Sequence, residues 1–252
     1  MPATQHLRVS GDFACFTRPE FSVERVSYPV MTPSAARGVL EAILWKPAIR
    51  WRVLKVSVLR PIRFTGIKRN ELAVKAAPLS KAVIQSGGDY ATVRIEDKRQ
   101  QRNSVVLRDV DYLIEARFEM TRHVGPGDNP AKFAAMFERR LSRGQHFHQP
   151  YLGCREFLAR CEPANGTEQP IDDTRDLGLM VWDVDFVRSA TKKSSTVSWI
   201  DGGRTVHGHA RPRLFPAKLV GGVMEVPADP EAALRDAHGL QTDDAASFGG
   251  GR

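Results

Sequence analysis

The chain has 252 residues, 42% hydrophobic and 26% charged, with 37 Lys and Arg against 29 Asp and Glu. That apolar content suffices for a full core in one large or two small domains, and a formal charge of +8 favours a polyanionic partner, either nucleic acid or an acidic protein surface. Cys15, Cys154 and Cys161 lack a CxxC spacing, which argues against a disulfide framework or structural zinc; no apolar run nears the ~20 residues of a membrane span, "MPATQHLRVSGDF" has no signal-peptide core, and a reducing cytoplasm is the expected location.

In chain order, residues 5–17, "QHLRVSGDFACFT", read as a strand interrupted at "SGD". "TPSAARGVLEAILW" opens with Thr32 as a cap and Pro33 at the first helical position, and Pro47 follows, predicting a helix over 33–45. Trp45 closes that helix, and Lys46 follows within reach of a phosphate or of the terminal carbonyls. "IRWRVLKVSVLRPIRF" alternates Ile49, Trp51 and Val53 with Arg50 and Arg52, then changes parity near Leu54, the pattern of a bulged strand. Trp51 is therefore expected in the core, with the two arginines on the opposite face.

From Ala42 to Asn70 there are eight cations (Lys46, Arg50, Arg52, Lys55, Arg60, Arg63, Lys68 and Arg69) and no carboxylate. A solvated strand face mixes signs, so this segment is read as a polyanion-binding surface. "KRQQR" at 98–102 and the cations Arg139, Arg140 and Arg143 extend the bias. Residues 64–100 are irregular, basic and Gly/Ser-rich near "QSGGDY", and read as a long hairpin-like excursion from the main sheet.

The clearest strand is 109–120, where Val110, Tyr112, Ile114, Ala116, Phe118 and Met120 alternate with mostly charged residues. "NPAKFAAMFERRLSRG" then repeats the helix punctuation, with Asn129 as cap, Pro130 at the first position, Gly144 at the end, and Phe133, Met136, Phe137 and Leu141 at helical spacing. "YLGCREFLARC", 151–161, reads as a returning strand. The order β-α-β-excursion-β-α-β is ferredoxin-like. The expected organisation is α+β: a ferredoxin-like domain over 1–163 with the excursion at 64–100, and a small antiparallel β subdomain over 164–226. An acidic tail over 227–252 is expected to be disordered. No phosphate-loop or HExxH motif occurs, and His207 and His209 in "HGH" lack a third ligand at sensible spacing.

The blocks "GDFACFTRPEFSVERVSYPVMTPSAARGVLEAILWKPAIRW", "VLRPIRF", "RNE", "RQQRNSVVLRDVDYLIEARFE" and "QPYLGCREF" span about residues 8 to 190. Over that length the chain resembles the CRISPR-associated Cas-five family of type I-C systems, within the RAMP superfamily of RRM-like proteins. The resemblance implies a subunit that binds the repeat hairpin of precursor CRISPR RNA, cuts at its base without metal or other cofactor, and stays on the 5′ handle. There it would sit in the Cascade surveillance complex beside the backbone subunit and the large subunit.

Metal-free RNA cleavage uses the ribose 2′-OH as nucleophile. The protein must help remove that proton, stabilise charge on phosphorus and protonate the leaving 5′-oxygen, tasks for His, Tyr and Lys. In the family the site resembles a tyrosine just before "WKP" plus a Lys-His pair at the start of the second helix; here Leu44, Lys132 and Phe133 stand at those positions. Lys132 lies in the first turn of a capped helix, where free N–H groups and the macrodipole favour phosphate, whereas Phe133 falls on the apolar stripe and cannot move a proton. His146 and His148 in "RGQHFHQP", together with His123 in "TRHVG", are the candidate replacements, the first two sharing a face if extended. Lys46, Arg50, Arg52, Arg63, Lys68, Arg69, Arg102, Arg139 and Arg143 are the expected RNA contacts. Leu44 and Phe133 keep open the alternative of a catalytically silent subunit capping the 5′ handle.

Overall fold

The structure is a computed structural model describing residues 4–21, 23–74, 81–87, 95–190, 194–201 and 204–237. The fold is α+β. Strand β1 (Gln5–Ala14) runs unbroken through the expected interruption, because a side chain at Gly11 would collide with Leu152 and approach the Leu158 carbonyl. The glycine there permits a close approach and does not end the strand. A two-residue strand β2 (Arg25–Val26) leads to helix α1 (Pro33–Ile43), capped by Thr32 Oγ1 accepting from the Ala35 N–H at 3.2 Å. Helix α1 stops two residues earlier than its periodicity suggests. Leu44 turns extended and is fully buried, and its carbonyl accepts from the Trp51 indole N–H at 2.9 Å.

Strand β3 (Ile49–Val58) carries the expected parity change as a bulge between Val53 and Lys55. Strand β4 (Phe64–Leu72) pairs antiparallel with β5 (Arg99–Met120) from Phe64↔Leu107 to Leu72↔Arg99, and short helices α2 (Lys81–Ser86) and α3 (Ile95–Lys98) lie between them. The excursion is thus a hairpin whose returning arm belongs to the same 22-residue strand as the core segment 109–120; its residues 75–80 and 88–94 lie outside the described ones.

Helix α4 (Pro130–Ser142) is capped by Asn129 and buries Phe133, Phe137 and Leu141 against the sheet. Beyond it the expected strand over 151–161 shrinks to β6 (Arg160–Pro163) and a single Tyr151↔Leu158 bridge. The cause is Gly153, at φ +82°, where any side chain would strike the Cys15 carbonyl. The main sheet contains the run β3-β5-β1-β6, with β2 and β4 also pairing to β5.

Strands β7 (Arg175–Arg188), β8 (Val197–Asp201) and β9 (Arg204–Leu219) form a second antiparallel sheet in the order β7-β9-β8, while β10 (Val223–Glu225) joins the edge of β3. Within the expected small antiparallel subdomain, β9 runs unbroken through Pro212 and Pro216 for 16 residues. β8 pairs β9 only over Arg204–Gly208, so at both prolines one edge is open and a missing N–H costs no ladder bond. Met180, Phe215 and Leu219 of this sheet belong to the same buried cluster as Leu40, Trp51 and Ile114. Arg37 of α1 bonds Asp183 at 2.6 Å. Helix α5 (Pro230–Ala237) occupies part of the stretch expected to be disordered, with Arg213 3.4 Å from Glu231. Residues 238–252 of that tail lie outside the described ones. Among the described residues no helix is long and apolar enough to cross a membrane.

Candidate nucleic-acid interface

The N-terminal end of α4 gathers one set of polar groups. Asn129 Oδ1 accepts from the Lys132 backbone N–H at 2.9 Å, and Lys132 Nζ donates to Asp128 Oδ1 at 2.8 Å. Asp128 is held below the usual carboxylate range, first by Lys132 and then by the Gly125 N–H, with Lys46 adding a smaller electrostatic contribution. The loop before α4 is tied to the Lys46–Ala48 turn, because the Thr121 N–H and hydroxyl donate to the carbonyls of Ala48 and Pro47. Thr121 Oγ1 also accepts from the His123 N–H at 3.1 Å. Exposed Lys46, His123 and Lys132 are therefore brought to one end of the helix.

His146 and His148 are placed elsewhere. They follow the C-terminal end of α4, and the ten steps from Lys132 to Ser142 span about 15 Å of helix at ~1.5 Å per residue. They lie in an irregular bend, not on a strand, and the N–H groups of Phe147 and His148 donate to the Ala42 carbonyl at 2.7 and 3.3 Å. The sequence puts them next to the helix, but the helix itself separates them from Lys132, so the three expected catalytic residues do not form one site. Leu44 and Phe133 are both buried, and Phe133 meets the Phe118 ring edge-on at 6.5 Å.

The expected RNA-holding cations divide into two groups. Arg52 donates to Glu119 at 3.1 Å. Arg69, whose ladder partner is Arg102, bonds Glu71 at 3.0 Å and also Glu156, while Arg102 bonds the Val23 carbonyl and Gln100 at 3.2 Å. These three are committed to the protein. The segment 42–70 lacks carboxylates in sequence, yet β5 and β10 supply them across the sheet: Lys55 pairs Glu225 at 3.0 Å and Arg60 lies 3.6 Å from Asp111. Lys46, Arg50, Arg63, Lys68, Arg139 and Arg143 are exposed and have no ion pair among the described residues. Arg140 instead caps α1, donating to the Ile43 carbonyl at 2.7 Å.

One perturbed group escaped sequence reading because its neighbours are remote in the chain. Cys154, bonded first by Cys15 and also by Arg25 Nη1 at 3.1 Å, is pulled down to about 6.

A model of the family described as CRISPR-associated protein (Cas_Cas5), of the Cas5d type, matches residues 6–227. The chain is 45% identical over 231 residues to the CRISPR pre-crRNA endoribonuclease Cas5d of Mannheimia succiniciproducens, covering 88% of this chain and 93% of that protein. It is 43% identical over 225 residues to the protein of the same name from Thermus thermophilus, covering 88% and 91%. A solved structure described as a CRISPR-associated protein superposes with a TM-score of 0.57 at 22% identity, over 90% of this chain and 92% of that one, and shares the fold.

Proposed function

The chain belongs to the CRISPR-associated Cas5d family, and from that premise we propose that it is an endoribonuclease that binds precursor CRISPR RNA at the repeat hairpin and cleaves it without metal. The observation that carries this reading is 45% identity, over 88% of the chain, to a relative named a pre-crRNA endoribonuclease. The strand succession β3-β5-β1-β6, with α1 following β1 and α4 following β5, supports a ferredoxin-like framework for it.

In this reading the scissile phosphate sits at the first turn of α4. Free N–H groups and the helix dipole favour its charge there. Lys132 exchanges Asp128 for the phosphate and stabilises the negative charge that develops on phosphorus. The ribose 2′-oxygen attacks phosphorus, its proton leaves to a base, the bond to the 5′-oxygen breaks, and that oxygen takes a proton. His123 is the imidazole that the fold brings to this end, and takes the proton-transfer role in place of His146 and His148. Lys46, Arg50, Arg63, Lys68, Arg139 and Arg143 hold the RNA backbone. After cutting, the protein remains on the 5′ handle beside the Cascade backbone and large subunits in the cytoplasm.

The test is incubation of purified protein with a labelled repeat hairpin in EDTA. Cleavage should persist, and a single 2′-deoxy substitution at the attacking ribose should abolish it. An inert wild type, or equal cutting of the deoxy substrate, would overturn the reading.

A further inference from the structure

Two large aromatics stand in solvent where nothing in the fold requires them: Trp45 is 52% exposed and Phe147 is 71% exposed. Both border the C-terminal end of α1. The Phe147 N–H donates to the Ala42 carbonyl at 2.7 Å, three residues before Trp45, so the two backbones lie within about 13 Å of each other, counting ~3.5 Å per residue and the hydrogen bond. The His148 ring meets Phe147 edge-on at 5.9 Å and steadies it. Exposed rings of this size are costly unless something covers them.

The charge around them selects the occupant. Trp45 belongs to the carboxylate-free stretch 42–70, and Phe147 belongs to a second such stretch, 139–155. On the sheet, acidic residues of other elements neutralise Arg52, Lys55, Arg60 and Arg69 of the first stretch. Here the hydrogen bond to Ala42 brings it against the second, with exposed Lys46 next to Trp45 in the chain and exposed His146, His148 and Arg143 next to or within four residues of Phe147. An aromatic pair in a cationic setting matches unpaired nucleotides, whose bases stack on rings while their phosphates meet the cations.

We propose that Trp45 and Phe147 form a stacking platform for unpaired bases of the bound RNA, in the strand adjoining the hairpin stem. This rests on the endoribonuclease reading above and extends it. Lys46 links the platform to the Lys132 end of α4, so a strand lying along the helix reaches the scissile site at one end and stacks beyond it. The platform is sequence-tolerant, since every base offers a π-face.

The test is fluorescence anisotropy with two labelled RNAs, the repeat hairpin with an unpaired strand attached and the bare stem. Trp45→Ala and Phe147→Ala should each weaken binding of the strand-bearing RNA about 5- to 100-fold, with the bare stem nearly unaffected and the log–log salt slope unchanged. Trp45→Phe and Phe147→Tyr should keep most of the affinity, and 5-iodouridine in the unpaired strand should photo-cross-link to one of the two rings. Unchanged affinity of the double Ala variant for the strand-bearing RNA would overturn the platform while leaving cleavage, and so the enzyme reading, intact. Loss confined to assembly with a protein partner would assign the surface to that partner and also overturn it. A wild type that binds neither RNA would overturn both readings.

Discussion

Replacing Phe133 by histidine restores the residue type that the family resemblance places beside Lys132, and the structure forecasts a loss of stability with no gain in activity. The Phe133 side chain is 2% exposed and packs edge-on against Phe118. Removing a buried phenyl group entirely costs about 3–5 kcal/mol. An imidazole keeps part of that packing but buries polar ring nitrogens against Phe118, with the Lys132 ammonium 5.8 Å from the ring centre, a penalty of about 1–3 kcal/mol where they stay unpaired. The net expectation is about 3 kcal/mol, or roughly 6–12 °C in Tm for a chain of this size. Acid should deepen the loss. Burial lowers the folded-state pKa of such an imidazole, so below the ordinary histidine value near ~6.5 the unfolded chain binds more protons and stability falls as pH falls. Thermal unfolding at pH 8 and pH 5.5, beside Phe133→Leu as an apolar control, measures both effects. An unchanged Tm together with faster cleavage of the repeat hairpin would show that this position reaches the phosphate, and would refute the assignment of Phe133 to the core.

Lys132→Ala should slow single-turnover cleavage about 10²-fold or more, as loss of one electrostatic stabiliser does, with hairpin affinity changed little. His123→Ala should cost about 10²–10⁴-fold if its imidazole moves the proton, whereas His146→Ala with His148→Ala should leave the chemical step intact; the opposite ranking would move the site to the other end of α4. Substituting Arg50, Arg63 and Lys68 together by Ala should lower the log–log salt slope of RNA binding by about one unit for each phosphate left without its cation, while Arg69→Ala with Arg102→Ala should act mainly on thermal stability. Because Cys154 is held down to about 6, the stability it supplies is present above the ordinary thiol range near ~8.5 and is lost as pH falls through about 6. Tm followed from pH 5 to 8.5 should therefore rise more steeply for the wild type than for Cys154→Ser, and parallel curves would remove the thiolate from the account.

The sequence by itself determined the features whose causes are local. Thr32-Pro33 and Asn129-Pro130 mark the two helix starts because capping and the fixed proline φ act within one turn. The alternation from Val110 to Met120 marks a half-buried strand because side chains alternate faces residue by residue. The bulge near Leu54 shows as a change in that parity, and several long ordered blocks carry the family. Tertiary structure alone decided what depends on partners distant in the chain. The cations of 42–70 look unopposed in sequence, but Glu119, Glu156 and Glu225 reach Arg52, Arg69 and Lys55 from other elements. Lys132 and His146 look adjacent because they flank one helix, yet its rise holds them apart. Trp45 looks like the last residue of a helix, but burial of Leu44 beneath Trp51 ends that helix early and turns Trp45 out to solvent. Hydrophobic periodicity records which face a residue takes along its own element; which charges meet across elements, and at which end, is set by the packing of those elements against one another.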